Sequence, residues 1–346
     1  MAVGAVNDQG AQATYSEPGA CLVVAGPSRG SSSSCSGRPG LTTTDLLGSY
    51  GRNPGAACEP ASWDYTATFG GTSAATPTVA GVVALQLQAN PSLGWRDVLE
   101  ILLRSATKVS PADPDWSTNT AGIAHNHRFG GGLANAAVAV TLATNWSNLG
   151  PAASLALLQT NLGLAVPDNT PAGVSLEFVV TNAGFRVEHA TLTVTLPHPH
   201  YGDLAITLIS PGGAVSRLAE LHPSSGGSYD GWTLNSVWHW GEPAQGTWTV
   251  RIADLAAGHD GTLAALRLDL HGSVPVASLS ASRNGTSTVC VLHAAAPGWR
   301  YVLQTSPDMT SWAAAGSAIV GLDGQAGFVL ANSPTAQQFY RARLGW

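Results

Sequence analysis

Residues 69–81 read Phe69-Gly70-Gly71-Thr72-Ser73-Ala74-Ala75-Thr76-Pro77-Thr78-Val79-Ala80-Gly81. Two glycines give way to small and β-branched residues, and the pattern predicts a helix from Ser73 to about Asn90. The first backbone N–H groups of a helix have no intrahelical partner, and its dipole is positive at that end. A serine hydroxyl placed there is a weak nucleophile until a base takes its proton, while the Ser73 N–H can donate to a developing oxyanion. Gly70 and Gly71 permit dihedrals closed to other residues and leave room for another backbone. Pro77 lies near the first turn, where its missing N–H costs least. Ala74, Ala75, Ala80 and Gly81 are small enough for close packing on a sheet.

Further along, Val79, Val82, Val83, Leu85 and Leu87 cover more than one helical face, which predicts a helix buried nearly all round. Asn90-Pro91 ends it, because proline restricts the preceding residue. Ser92 is expected to cap a second helix, Trp95 to about Ser105, with Asp97 in its first turn. The string from Phe69 to Gly81 resembles the nucleophile motif of subtilisin-like serine proteases. Asn90-Pro91-Ser92-Leu93-Gly94-Trp95-Arg96-Asp97-Val98 resembles the segment that follows the nucleophile helix in the kexin-like branch.

The resemblance implies that Ser73 is the catalytic nucleophile, that Thr72 and Gly71 serve the oxyanion and the substrate, and that the substrate is a protein or peptide. In that family the catalytic Asp, His and oxyanion Asn precede the serine, and only 72 residues precede Ser73. Met1-Ala2-Val3-Gly4-Ala5-Val6 resembles the buried strand that comes after the oxyanion Asn. The expectation is a C-terminal part of a parallel-sheet α/β catalytic domain, residues 1–144, with the Asp, the His and that Asn before Met1. Asn7 follows the strand in a loop, the wrong place for the oxyanion role. His125 and His127 follow the serine and read as a loop ahead of Phe129-Gly130-Gly131-Gly132-Leu133. That glycine segment resembles the strand–helix junction closing the catalytic domain, with Asn135-Ala136 at its end. A catalytic triad acts as a unit, so this chain alone is expected to be inactive. Residues 1–144 are expected to fold poorly, since a parallel sheet needs both faces covered and most of it would be absent.

The chain has 346 residues, of which 10% are charged, with a net charge of −6 and a single lysine, Lys108. That excludes a general basic nucleic-acid surface. No apolar run reaches the length of a membrane span. The family resemblance implies a secreted protein, although Met1 leads straight into a strand without a signal peptide. Cys35 and Cys58 flank a polar, glycine-rich insertion that a disulfide would staple, with Cys21 and Cys290 elsewhere; free thiols are the alternative.

After a linker and short helix over 145–164, alternating runs separated by turn residues predict an antiparallel sandwich over 165–272. His200-Tyr201-Gly202-Asp203-Leu204, Leu208-Ile209-Ser210-Pro211-Gly212-Gly213, the Trp238–Trp248 stretch and Leu268-Asp269-Leu270-His271-Gly272 resemble the P (homo B) domain of proprotein convertases, an all-β jelly roll. Asp203, Asp254 and Asp260 offer oxygen ligands of the kind a structural calcium ion takes, and the alternative is plain tight-turn chemistry without a metal. His198 and His200 read as two metal ligands or as solvated loop histidines. Trp232, Trp238, Trp240 and Trp248 read as core rather than as a sugar-stacking face. Residues 273–346 predict a small all-β module; Tyr301–Trp312 and the ending Phe339–Leu344 resemble a module found at the ends of secreted bacterial proteins. Two functions follow: a secreted, monomeric serine endopeptidase in full-length form, or a non-catalytic secreted binding or surface protein carrying a protease remnant.

Overall fold

The computed structural model describes residues 1–346 except 31–39, 54, 57, 224–225, 322, 333–337 and 346. Cys35 and most of its insertion lie outside the described residues; Cys58 is disulfide-bonded, while Cys21 and Cys290 are free thiols.

The N-terminal part is built on two parallel strands, β1 (Ala2–Val6) and β2 (Leu22–Pro27). A hairpin of β3 (Leu41–Thr44) and β4 (Tyr65–Phe69) leads into helix α1 (Thr72–Ala89), followed by α2 (Trp95–Ser105). Two-residue strands β5 (Ser117–Thr118) and β6 (Ala124–His125) pair before the glycine segment and helix α3 (Ala136–Thr144). Gly26 lets α1 sit directly on β2, for a Cβ there would lie 2.5 Å from the Ala75 carbonyl oxygen. Gly130, at φ +58, presses on the Val23 carbonyl in the same way, and Leu133 bridges Ala25 in parallel. Val23, Val24, Val79, Val82, Ile101, Leu102, Ala139 and Ala143 form the shared core.

Two expectations for this part are corrected. Helix α1 is buried along one side only: Leu85 is 46% and Leu87 39% exposed, because β1, β2, α2 and α3 cover one side and no described residues cover the other. Ser92 does not cap α2. Its hydroxyl bonds Asn90 Oδ1, and the cap is Gly94, whose N–H donates to Asp97 Oδ2 at 2.8 Å. Asp97 is thereby a buried junction, since its Oδ1 also accepts from Trp146 Nε1 and the Leu149 N–H.

The β region contains β7 (Ala152–Gln159), β8 (Leu164–Val166), β9 (Thr170–Val180), β10 (Arg186–Leu196), β11 (Leu204–Ile209), β12 (Val215–Ala219), β13 (Tyr229–Ser236), β14 (Gly246–Asp254), β15 (Gly261–Leu263) and β16 (Ala265–Ser273). Two four-stranded antiparallel sheets, β13-β10-β16-β7 and β12-β11-β14-β9, pack face to face. Alternate residues turn inward: Ala190, Leu192, Val194 and Leu196 from one sheet meet Ile206, Leu208, Val250 and Ile252 from the other. The stretch read as linker and short helix is in fact β7, an edge strand paired along β16 from Gln159–Leu266 to Ala152–Ser273. Its Ala153, Leu155 and Leu157 alternate into the core, a period of two that a short leucine-rich run hides. Trp238, Trp240 and Trp248 are core, whereas Trp232 is 44% exposed against Tyr201 and Tyr229.

Strands β17 (Ser278–Asn284), β18 (Ser287–His293), β19 (Arg300–Ser306), β20 (Ala313–Ile319), β21 (Ala326–Ala331) and β22 (Phe339–Leu344) make two three-stranded sheets at the C-terminus. Their core joins that of the sandwich, with the Phe185 and Trp299 rings 5.3 Å apart. Among the described residues, no helix is long and apolar enough to cross a membrane.

Candidate active site

Ser73 stands in the first turn of α1 and is exposed in an open cleft of about 810 Å³, lined also by Arg29, Thr43, Asp45, Arg52, Thr66 and Thr68. Gly71, the residue before the helix, takes φ +82, a value that disfavours any side chain. Its position is held from both sides. The Gly71 N–H donates to Tyr15 Oη at 3.0 Å, and its carbonyl accepts from Ser28 Oγ at 2.8 Å. Tyr15 Oη lies 2.8 Å from Ser28 Oγ and donates to the Arg29 carbonyl. Gly70 clears the Arg29 side chain, because a Cβ there would lie 2.7 Å from Arg29 Cβ. The turn presenting Ser73 is thus shaped by glycines and tied to the end of β2. Thr72 begins the helix beside it.

Among the described residues, no histidine lines the cleft beside the serine. All ten histidines are engaged away from the cleft. His189 stacks on His271, His198 bonds Asp254, and His200 stacks on His259. His239 bonds Glu242, His222 bonds the Glu220 carbonyl, and His293 bonds Ser280. Asn7 closes its own loop, with Oδ1 accepting from the Gln9 and Ala11 N–H groups. The cleft therefore displays a serine hydroxyl at a positive helix end, with no histidine among its described lining residues.

His125 and His127, read from sequence as plain loop residues, are buried where the N-terminal part meets the sandwich. His127 stacks on Trp238 at 3.8 Å and His125 on the same ring at 5.2 Å. His127 Nε2 accepts from the Arg217 N–H at 3.0 Å, so Nδ1 carries the proton and donates to Asp115 at 3.1 Å. Burial, with Arg217 next, lowers its pKa to about 4; burial, with His239 next, lowers that of His125 to about 3. Around them Arg96 pairs with Glu188, Trp240 Nε1 donates to Glu100, and Asn119 Nδ2 donates to the Trp238 and Trp240 carbonyls. The interface role was not read from sequence, where an H-x-H and a W-x-W more than a hundred positions apart carry no visible link.

Asp203, Asp254 and Asp260 do not form a common oxygen cage. Asp254 is fully buried and accepts from His198 and the Ala256 N–H, while Asp260 is exposed. Calcium requires six to eight converging oxygens, and these three do not fit it. His198 and His200 also part company, because both His198 nitrogens are already hydrogen-bonded.

Residues 1–132 match the subtilase family model, and residues 187–270 match that of the proprotein convertase P-domain. The chain belongs to the subtilase family and carries a proprotein convertase P-domain. PC3-like endoprotease variant B of Hydra vulgaris is 32% identical over 262 residues, covering 73% of this chain and 34% of the relative. Kexin of Saccharomyces cerevisiae is 37% identical over 218 residues, 59% of this chain and 26% of its own length. Human furin is 33% identical over 219 residues, 61% of this chain and 27% of furin. This subtilase chain thus spans about a third or less of these relatives. The crystal structure of an Aeromonas sobria serine protease with its chaperone superposes with a TM-score of 0.69 at 26% identity, over 79% of this chain and 57% of that one.

Proposed function

We propose that Ser73 is the nucleophile of a secreted endopeptidase of the subtilisin/kexin type, and that these 346 residues alone do not hydrolyse peptides. The observation that carries both halves is an exposed serine at the N-terminus of α1 with no histidine of the chain beside it. In the working enzyme a base from outside these residues takes the Ser73 proton as Oγ attacks the scissile carbonyl. The negative oxygen then lies against the free N–H groups of the first turn, and Thr72 and Gly71 border it. The P-domain supports the catalytic part through the Arg96–Glu188 pair and the His127–Trp238 stack. A protein or peptide substrate fits an open cleft better than an enclosed pocket. A second reading, a secreted non-catalytic module, draws on the same missing base.

A fluorophosphonate probe tests this directly, since only an activated serine labels rapidly. We expect this chain to label no faster than Ser73→Ala, and a longer form containing an Asp, His and Asn segment to label at Ser73. Labelling of the 346-residue chain at Ser73 would overturn the inactivity; an unlabelled longer form would favour the non-catalytic module.

A further inference from the structure

At one end of the P-domain sandwich, His200, Asp203 and His259 each offer a ligand atom, and the three atoms lie within 4.8 Å of one another. We infer that these three side chains form a site for a divalent transition metal of the zinc class. The loops converge by backbone bonding before any ion is considered. His200 and Asp203 bracket a single 3₁₀ turn, with the Asp203 N–H donating to the His200 carbonyl at 3.1 Å. His259 comes from the β14–β15 connection, which the Leu255 N–H ties to the Asp203 carbonyl at 2.9 Å. The Gly258 N–H, one residue before His259, donates to the Asp168 carboxylate at 3.0 Å. His198 braces the site without entering it. Its Nδ1 accepts from the His200 N–H at 3.0 Å, and its Nε2 bonds the fully buried Asp254 at 3.2 Å.

The protein's own contacts leave the cluster unfinished. His259 Nδ1 is buried yet has no hydrogen bond, and its nearest acidic oxygen, on Asp203, is 3.6 Å away. The His200 and His259 rings lie 4.1 Å apart at 24°. Two imidazoles and a carboxylate are a donor set for zinc, nickel, copper or iron, whereas calcium and magnesium take oxygens. At bond lengths of about 2.0–2.1 Å, tetrahedral zinc ligands stand roughly 3.3 Å apart, so modest ring rotations close the site. All three residues are partly exposed, which leaves a fourth position for water. A bound ion would lock the loop before β11 to the loop after β14 and stabilise the folded form by mass action.

The test uses the untagged full chain, stripped with chelator and titrated with Zn(II) by calorimetry and with Co(II) by visible absorption. We expect one equivalent of Zn(II) bound with a Kd below about 1 μM, and Co(II) d–d bands of a low-coordinate N/O site. His259→Ala, His259→Gln and Asp203→Asn should each weaken binding by about 100-fold or more. His271→Ala, which breaks the separate His189–His271 stack, should leave binding unchanged. Absence of binding, binding untouched by all three site variants, or binding lost in His271→Ala would overturn the site. Far-ultraviolet circular dichroism identifies any variant that fails to fold, and the remaining ones then decide. The readout is metal binding, so it is independent of whether Ser73 is active.

Discussion

At the residue scale, the glycines carry more than the serine does. Ser73 is exposed and makes no described hydrogen bond, so Ser73→Ala should leave the unfolding midpoint of this chain unchanged, while removing activity by orders of magnitude in any catalytically complete form. Gly26→Ala should do the reverse. Its Cβ would lie 2.5 Å from a backbone oxygen of α1, and backbone cannot turn aside as a side chain can. We predict a loss of about 1–3 kcal/mol, read by urea unfolding. Gly71, at φ +82, was legible from sequence because the motif carries it. Gly26 was not, because nothing local separates a glycine that permits a close approach from one that merely turns.

At the element scale, α2 and the β5–β6 segment join the two main parts. Arg96 is 15% and Glu188 only 4% exposed in their ion pair, so removing one partner strands a buried charge. Glu188→Ala should cost about 3 kcal/mol or more, detected as a lower thermal midpoint. The same seam should weaken in acid. Burial holds His125 and His127 neutral, with pKa values near 3 and 4 against about 6.5 when unfolded. Both therefore stabilise the fold fully above about pH 6.5, and that stability declines as pH falls toward 4 and then 3. Arg217 and His239 deepen the effect, while Asp115 and Glu242 oppose it. Urea unfolding followed by tryptophan emission from pH 7.5 to 4 should show a midpoint that is level above about pH 6.5 and falls below it; a flat profile would remove the histidines from the account. Helices α1 and α2 were legible from apolar residues and punctuation, and the start of α3 only from the family resemblance of the glycine segment. Strand β7 was not, for an eight-residue run rich in alanine and leucine supports either period until a partner strand is present.

At the scale of the whole molecule, the N-terminal part has the least support of its own. Its sheet holds two parallel strands, and Leu85, Leu87, Leu46, Leu47 and Tyr50 are exposed. We predict that residues 1–144 expressed alone will aggregate, while the full chain stays soluble, because α2 and Ile123 bury themselves with Val237 and Trp240 of the P-domain. Gel filtration with circular dichroism decides it: a monomeric, cooperatively unfolding 1–144 fragment is the contrary result. The sequence alone determined that Ser73 heads a helix in a subtilase-type motif and that a P-domain sandwich follows. The motif and the P-domain were read from family resemblance, whereas the helix and the alternating strands rest on local order, where turn residues, helix ends and alternation act on neighbours. Only the tertiary structure decided that His125 and His127 lie against Trp238, that Asp254 is spent on His198, and that His200, Asp203 and His259 converge. Each depends on which distant groups share one desolvated space, and that is set by how the sheets and loops close on each other.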